Sequence, residues 1–227
     1  PFPRLSYTEA VELLHSNRVQ EMLDRDLDEA HADVERLEAE QVEQAEAEKT
    51  ARKQWQKEKA ANRIREIGEE LDELRVRIEN IPEHKKLAAE FAWGKDLGGS
   101  DETIVSRLYD KPVFVHHYPK EAKAFYMKPE PEDPRTVQNF DLLAPEGYGE
   151  IIGGSQREDD HDALLARVEE EGYNREDYEW YLDLRKYGSV PHGGYGLGIE
   201  RTITWLCNLS HVRESIPYPR LLGRIYP

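Results

Sequence analysis

Hydrophobic residues recur at alternating steps of four and three in two stretches of the chain. The first stretch runs from Leu23 to Leu37, and the second runs from Ile64 to Ile81. This spacing places apolar side chains along one side of a helix, as in a coiled coil, and the surrounding Glu, Ala, Lys, Arg and Gln all favour helix. The pattern therefore predicts two long helices between about residues 20 and 81.

The two repeats are out of phase, which leaves two arrangements open: one long helix with a broken seam, or an antiparallel hairpin of two helices. Charge favours the hairpin. Residues 20–48 contain twelve acids and two basic residues, whereas residues 49–66 contain seven basic residues and two acids. A turn near residues 46–52 sets the acidic helix against the basic start of the next one. No Gly, Pro or Asn marks that turn.

Outside this segment the pattern is typical of a mixed α/β domain. The predicted strands are PVFVHHYP (112–119), KAFYMKP (123–129), VQNFDLLAP (137–145), GEIIGG (149–154) and GGYGLG (193–198). The predicted helices are SYTEAVELL (6–14), which opens with a capping box from Ser6 to Glu9, HDALLARVEEEGY (161–173), DYEWYLDLRKYG (177–188) and IERTITWLCNL (199–209). Strands in the middle with helices around them indicate an α+β fold, an antiparallel sheet with flanking helices.

Composition narrows the class of protein. The formal net charge is −16, charged residues make up 34%, and no apolar run approaches the roughly 20 residues of a membrane span. This charge argues against a surface that coats nucleic acid, although a local basic patch is compatible with it. The single Cys207 excludes an internal disulfide, suits a cytoplasmic location and predicts a small core residue. The start, PFPRLSY, lacks Met and a signal peptide and is typical of an internal cut point.

The glycine-rich turn PHGGYGLGIER, residues 191–201, leads into a predicted helix. It does not fit the dinucleotide fingerprint, because Ile199 stands at the third glycine position, and it lacks the Gly-Lys of a P-loop. Two interpretations stay open: glycines that only permit a tight turn, or a phosphate site. Arg201 in the first helical turn favours a phosphate, since its guanidinium offers a fork of donors. The other interpretation of Arg201 is a surface ion pair with Glu200.

A second candidate cluster lies between residues 141 and 158. Asp141 and Glu150 stand at opposite ends of a predicted strand–turn–strand, and carboxylate oxygens hold Mg²⁺ on nucleotide phosphates. Arg157 follows Glu150 by seven residues, an odd spacing that places the two on opposite faces of a regular strand. A bulge at Gly153–Gly154 would bring them to one face. Each acid alone is typical of a solvated surface charge.

Several long blocks of the sequence resemble the C-terminal catalytic region of asparaginyl-tRNA synthetases, in the aspartyl/asparaginyl/lysyl group of class II. The blocks are GEIIGGSQRE, YLDLRKYGSVPHGGYGLGIERTITWL, IPYPRLLGRIYP, PFPRLSYTEAVELL, EFAWGKDLGG and PVFVHHYPKEAKAFYMKP. PHGGYGLGIER resembles the third class II signature motif. The resemblance covers residues 1–17 and 90–227, which we expect to form the catalytic domain, and it leaves residues 18–89 as an inserted coiled-coil hairpin.

The resemblance implies roles for particular residues. It places Arg201 on the γ-phosphate of ATP, Glu150 on Mg²⁺, and Asp141 beside Glu150 as the partner acid. The remaining implied positions let adenosine approach the backbone (Gly194, Gly196 and Gly198) or face the amino acid (Arg157 at its side-chain carbonyl, with Ser155, Lys123 and Tyr126 nearby). For Tyr126, core packing is an equally open interpretation.

The implied reaction is ATP-dependent activation of asparagine to asparaginyl-adenylate, followed by transfer to tRNA(Asn), with ATP as substrate and Mg²⁺ as cofactor. The first and second class II motifs and an anticodon-binding domain are not found in the sequence. We therefore expect a chain that is inactive alone and that belongs to a homodimer when complete.

Two alternatives stay open: a related asparagine synthetase that uses aspartate, ammonia and ATP, or a non-catalytic scaffold that binds partners through its coiled coil. The acids of the hairpin argue against a role in holding tRNA. Docking of a protein, or projection into solvent, is at least as compatible with them.

Overall fold

A computed structural model describes residues 1–220 and residue 223 of the chain. It separates into two compact units, one formed by Pro1–Leu14 with Phe91–Pro227 and the other by His15–Glu90. Most of the second half of the sequence block IPYPRLLGRIYP lies outside the described residues.

A five-stranded mixed sheet organises the first unit, with its strands side by side in chain order. The strands are β1 (Arg4–Ser6), β2 (Val113–His116), β3 (Asn139–Ala144), β4 (Gly149–Gln156) and β5 (Gly193–Leu197). β1 and β2 run parallel, which their long connection permits, and every later pair is antiparallel. The predicted α+β fold, a sheet with flanking helices, is confirmed, with one parallel pair at its edge.

Seven α-helices occur among the described residues. They are α1 (Tyr7–Leu14), α2 (Asn17–Thr50), α3 (Gln54–Ala89), α4 (Gly99–Ser106), α5 (His161–Glu170), α6 (Arg175–Lys186) and α7 (Ile199–Leu206). The predicted capping box opens α1: the Ser6 amide donates to Glu9 Oε2 at 2.7 Å, and the Glu9 amide donates to Ser6 Oγ at 3.2 Å. None of the described helices combines the length and apolar character needed to cross a membrane.

The second unit is the predicted hairpin, formed by α2 and α3 with a short turn at residues 51–53. Leu37, Ile67 and Leu71 form its buried seam, and Val34 and Leu74 pack against them. Ion pairs join the acids of α2 to the bases of α3. Arg63 Nε lies 2.7 Å from Glu40 Oε1. As the charge pattern predicts, the acidic C-terminal part of α2 lies against the basic N-terminal part of α3. A single long helix is therefore excluded.

The prediction of a strand at KAFYMKP is wrong. Residues 120–122 form one 3₁₀ turn, and the following segment makes isolated bridges, such as Met127 with Arg157, in place of a continuous ladder. Pro129 and Pro131 lack the amide hydrogens that a continuous ladder needs, which explains why apolar residues here do not become a strand.

The prediction that Cys207 is a core residue is also wrong, since Cys207 is exposed. It caps the C-terminus of α7 instead of lying on the buried side of that helix. Trp205 supplies the contact with the sheet, where it packs against the cluster of Leu142, Ala144 and Ile151.

Candidate nucleotide-binding site

A β-bulge on β4 brings the two predicted metal ligands to one face of the sheet. Leu142 pairs with Ile152 and Leu143 pairs with Glu150, so Ile151 is the extra residue of β4. The bulge therefore lies at Ile151 and not at Gly153–Gly154 as predicted. The predicted effect is to bring Glu150 and Arg157 to one face. In the observed register Glu150 shares a face with Asp141, which lies opposite Gly153, and with Ser155, two residues before Arg157.

Gly153 leaves the space that the two carboxylates face. A Cβ atom at Gly153 would overlap Glu150 Oε1 and would lie 3.2 Å from Asp141 Oδ1. Both oxygens thus border the same point above the backbone of Gly153. Any larger residue would push at least one carboxylate away, so the site requires glycine at position 153.

The carboxyl groups around this point have raised pKa values, chiefly because they are buried. Burial raises the pKa of Asp141, with Lys123 opposing the shift, and burial together with the Asp141 charge raises the pKa of Glu150. Glu102, on α4, accepts a hydrogen bond from the Glu150 amide at 3.1 Å. Burial and the negative charges of Glu150 and Asp141 raise the pKa of Glu102 to about 7. Such a cluster favours a cation beside it.

The donor set fits Mg²⁺ bound through a substrate. Within residues 1–220 and 223, no group of three or more His, Cys, Asp and Glu side chains is arranged to hold a metal by itself. Mg²⁺ is commonly held by one or two carboxylates and completed by waters and phosphate oxygens. Asp141 and Glu150 provide that pair.

Lys123 lies between two acids next to this point. Its Nζ is 3.0 Å from Asp141 Oδ2 and 2.9 Å from Asp96 Oδ1, and it lies 4.0 Å from the centre of the Tyr118 ring. Burial disfavours the ammonium, but Asp141 and Asp96 outweigh it and raise the pKa of Lys123. Lys123 therefore stays charged and holds Asp141 in place.

Arg201 stands in the first turn of α7, close to the backbone of Glu150. Its Nη1 donates to the Glu150 carbonyl oxygen at 2.8 Å, an arrangement different from a surface pair with Glu200. The Gly198 amide donates to the Ile151 carbonyl oxygen at 2.9 Å and fixes the start of α7 against the bulged part of β4. The guanidinium is exposed, so its remaining donors are available to a ligand.

Between these groups the sheet has a surface without side chains. Gly196 lies opposite Gly153, and Gly194 lies opposite Ser155. A Cβ atom on Gly196 would meet nothing within 4 Å, whereas one on Gly194 would lie 3.1 Å from Arg157 Nη2. A flat ligand can therefore approach the backbone of β5.

Arg157 and its neighbours form the other end of this surface. Arg157 donates to Ser155 Oγ and, at 3.4 Å, to the Gly194 carbonyl oxygen, and its guanidinium lies 4.7 Å from the centre of the Tyr126 ring. Tyr126 also packs against Phe125. Tyr126 is thus half-buried in an aromatic cluster and supports Arg157 at the same time.

Comparison with known proteins identifies the family. Residues 1–222 match the family described as tRNA synthetases class II (D, K and N). The chain belongs to this family.

Individual relatives of this class II synthetase chain are also similar. It is 62% identical over 137 residues to an asparagine–tRNA ligase of Desulforamulus reducens, which covers 60% of this chain and 32% of that protein. It is 48% identical over 171 residues to an asparagine–tRNA ligase of Lactobacillus delbrueckii subsp. bulgaricus, covering 71% of this chain and 40% of that protein. The chain spans about a third of the length of the curated relatives it matches.

Solved structures agree with the sequence relatives. The present structure is similar to a crystal structure of the asparaginyl-tRNA synthetase from Pyrococcus horikoshii complexed with asparaginyl-adenylate. The two compare with a TM-score of 0.66 and 40% sequence identity. The match covers 100% of this chain and 36% of that chain.

The sequence did not point to two acids of this candidate site, Glu102 and Asp96. Both precede or open α4 in the stretch GKDLGGSDE, where three acids cluster within seven residues. That cluster was an available signal, but its acids sit about fifty residues before Glu150. Only the fold shows that they meet.

Proposed function

We propose that this chain takes part in the ATP-dependent activation of asparagine and its transfer to tRNA(Asn). The observation that carries the proposal is the pair of carboxylates and Arg201 around a glycine-lined surface, in a chain that is 62% identical over 137 residues to an asparagine–tRNA ligase. In this proposal, residues 1–17 and 90–227 form the catalytic domain and residues 18–89 form an inserted arm. The proposed setting is the cytoplasm, with a homodimer as the working assembly.

The phosphate end of the surface supports attack of the asparagine carboxylate on the α-phosphorus of ATP, with pyrophosphate as leaving group. Glu150 and Asp141 would hold Mg²⁺, which supplies neutralisation of phosphate charge when bound. Arg201 donates to the far phosphate from the opposite side, and Gly194, Gly196 and Gly198 admit adenosine. No residue has to form a covalent intermediate, so positioning and charge neutralisation account for the catalysis.

The other end of the surface supports recognition of the amino acid. Arg157 offers only donors, and its bonds to Ser155 and Gly194 together with the Tyr126 ring fix its direction. It can therefore donate to the side-chain carbonyl of asparagine. Lys123 holds Asp141 and stands beside the same pocket.

The test joins this chain to the part of the Desulforamulus reducens relative that it does not match. We expect the joined protein to catalyse pyrophosphate exchange into ATP with asparagine and to charge tRNA(Asn), and the 227-residue chain alone to do neither. Exchange driven by aspartate, with asparagine as the product when ammonia is present, would replace the proposal with asparagine synthesis. Loss of all exchange in a folded joined protein would favour a non-catalytic scaffold.

A further inference from the structure

The end of the hairpin differs in charge from its shaft. Residues 49–59, here called the arm tip, contain five basic residues and one acid, whereas residues 20–48 contain twelve acids and two basic residues. α2 contains 34 residues, so the tip lies about 50 Å along that helix from its start. A cationic patch thus stands at the far end of an acidic rod.

The bases of the tip are free to meet a ligand. Among the ion pairs of residues 1–220 and 223, only Lys49 of the tip takes part, at 3.9 Å from Glu46 Oε2. Arg52, Lys53, Lys57 and Lys59 are exposed. Because α2 ends where α3 begins, the two helix dipoles largely offset each other, and these side chains set the local field.

Trp55 lies at the centre of the tip with 59% of its surface exposed. It borders a groove of about 660 Å³, whose polar lining includes Arg52, Lys53 and Lys59 and contains no carboxylate. Trp55 also borders a second groove of mixed charge, lined by Glu40, Glu58 and Glu66 together with the bases Lys59 and Arg63. Trp55 therefore borders one groove whose charged residues are all basic and another in which acids and bases are mixed.

We propose that the arm tip binds RNA, with an unpaired base stacked on Trp55 and the adjoining phosphates on Arg52, Lys53 and Lys59. An exposed aromatic ring beside basic side chains is the arrangement that binds single-stranded nucleic acid, because every base has a face that stacks. The acids of residues 20–48 repel phosphate and so restrict the contact to the tip. The identity of the RNA as tRNA rests on the proposed function, whereas RNA binding by the tip does not.

An anionic membrane is the main competing ligand, since Trp and Lys also suit lipid headgroups. Membrane-surface binding by a helix uses a broad apolar face. The tip offers Trp55 as its only large apolar side chain, and the carboxylate of Glu58 lies within one turn of it. A narrow strand of RNA fits this geometry, and a flat charged surface does not.

The experiment measures the affinity of the 227-residue chain for a fluorescently labelled single-stranded RNA of twelve nucleotides and for a tRNA(Asn) transcript, by anisotropy at several salt concentrations. We expect Trp55→Ala to weaken binding about 10-fold and Trp55→Phe to retain most of it. Lys53→Gln combined with Lys59→Gln should lower the slope of log affinity against log salt by about 1.4, since two single-strand phosphate contacts are lost.

Arg65→Gln is the matched control, because Arg65 is an exposed base on the same helix beyond the tip. It should change affinity less than 2-fold, and circular dichroism should show equal helix content in all variants. Equal losses in Arg65→Gln and the tip variants, or binding only to phosphatidylserine vesicles, would overturn the proposal, as would absence of RNA binding by the unchanged chain.

The tip variants should leave asparagine-dependent pyrophosphate exchange of the joined protein unchanged. This separates the two proposals. If RNA binding fails while exchange persists, only the arm inference is lost. If exchange fails while the tip binds RNA, the proposed function is lost and the arm inference stands without tRNA as its ligand.

Discussion

The sheet site and the arm tip collect charge in opposite ways. At the sheet, Glu102, Lys123, Asp141 and Glu150 come from separate elements, are at least partly buried, and have raised pKa values. At the tip, all the charges come from eleven consecutive residues and are exposed. The charges and pKa values of a buried site are thus set by the fold, whereas the charge of an exposed patch is set by the local sequence.

The largest expected effect is the loss of chemistry when a buried carboxylate is neutralised. Glu150→Gln in the joined protein should lower exchange by about 10²-fold or more, because it removes a charged ligand for Mg²⁺ and phosphate. Pyrophosphate exchange at saturating ATP measures this. Glu179→Gln, at an exposed position on α6, serves as the control. Unchanged exchange in Glu150→Gln would remove this carboxylate from the site.

The next effect tests whether the stability of the hairpin is independent of the sheet site. Ile67 is fully buried in the hairpin seam with Leu37 and Leu71. Ile67→Ala should lower the free energy of unfolding of the hairpin by about 2–5 kcal/mol, because it leaves a cavity. Urea unfolding followed by helical circular dichroism measures it, and Val76→Ala, whose residue is 57% exposed, should stay within about 0.5 kcal/mol.

If Ile67→Ala also lowered exchange in the joined protein by a large factor, the arm and the site would not be separate. The contrast between them would then be one of charge alone.

A smaller effect concerns the pH dependence of folding at the sheet. The pKa of Glu102 is about 7 in the fold and near 4.5 when unfolded, so the folded state holds the proton more tightly. Its ionisation therefore destabilises the fold as pH rises from about 4.5 through 7. Glu102→Gln should raise the melting temperature at pH 8 and leave it unchanged near pH 4, measured with a chelator present.

The exposed Glu179→Gln should show no such dependence on pH. A melting temperature of Glu102→Gln below that of the unchanged chain at pH 8 would mean that the Glu102 carboxylate is needed in its charged form.

The smallest expected effect concerns the capping box of α1. Like the charge of the arm tip, this cap depends only on residues that are neighbours in the sequence. Hydrogen bonds from the Ser6 side chain and backbone hold the pKa of Glu9 below its ordinary value, so this cap stabilises α1 above about pH 4.5 and weakens as pH falls. Ser6→Ala should destabilise the chain by about 1 kcal/mol at pH 7 in thermal unfolding. The difference should shrink at pH 3, and Ser210→Ala, at an exposed position, should show neither effect.

Local patterns predicted the hairpin and the capping box because the interactions that form them lie within a few turns or follow a strict repeat. The same reasoning failed for KAFYMKP, where prolines outweigh the apolar run, and for Cys207, whose side of the helix is decided by the sheet. The bulge was expected at a glycine pair and lies at Ile151, because its place is set by pairing with Leu142 and Leu143. Glu102 and Asp96 join the site through tertiary contacts that no local spacing encodes.

The extra residue at Ile151 also makes strand length a condition of the chemistry. A single insertion or deletion between Glu150 and Gly153 would turn the glutamate to the face where Trp205 packs, while leaving every functional letter of the sequence present. Such a variant would keep the residues of the motif but would place Glu150 and Asp141 on opposite faces of the sheet. The number of residues between Glu150 and Arg157 therefore matters as much as their identity.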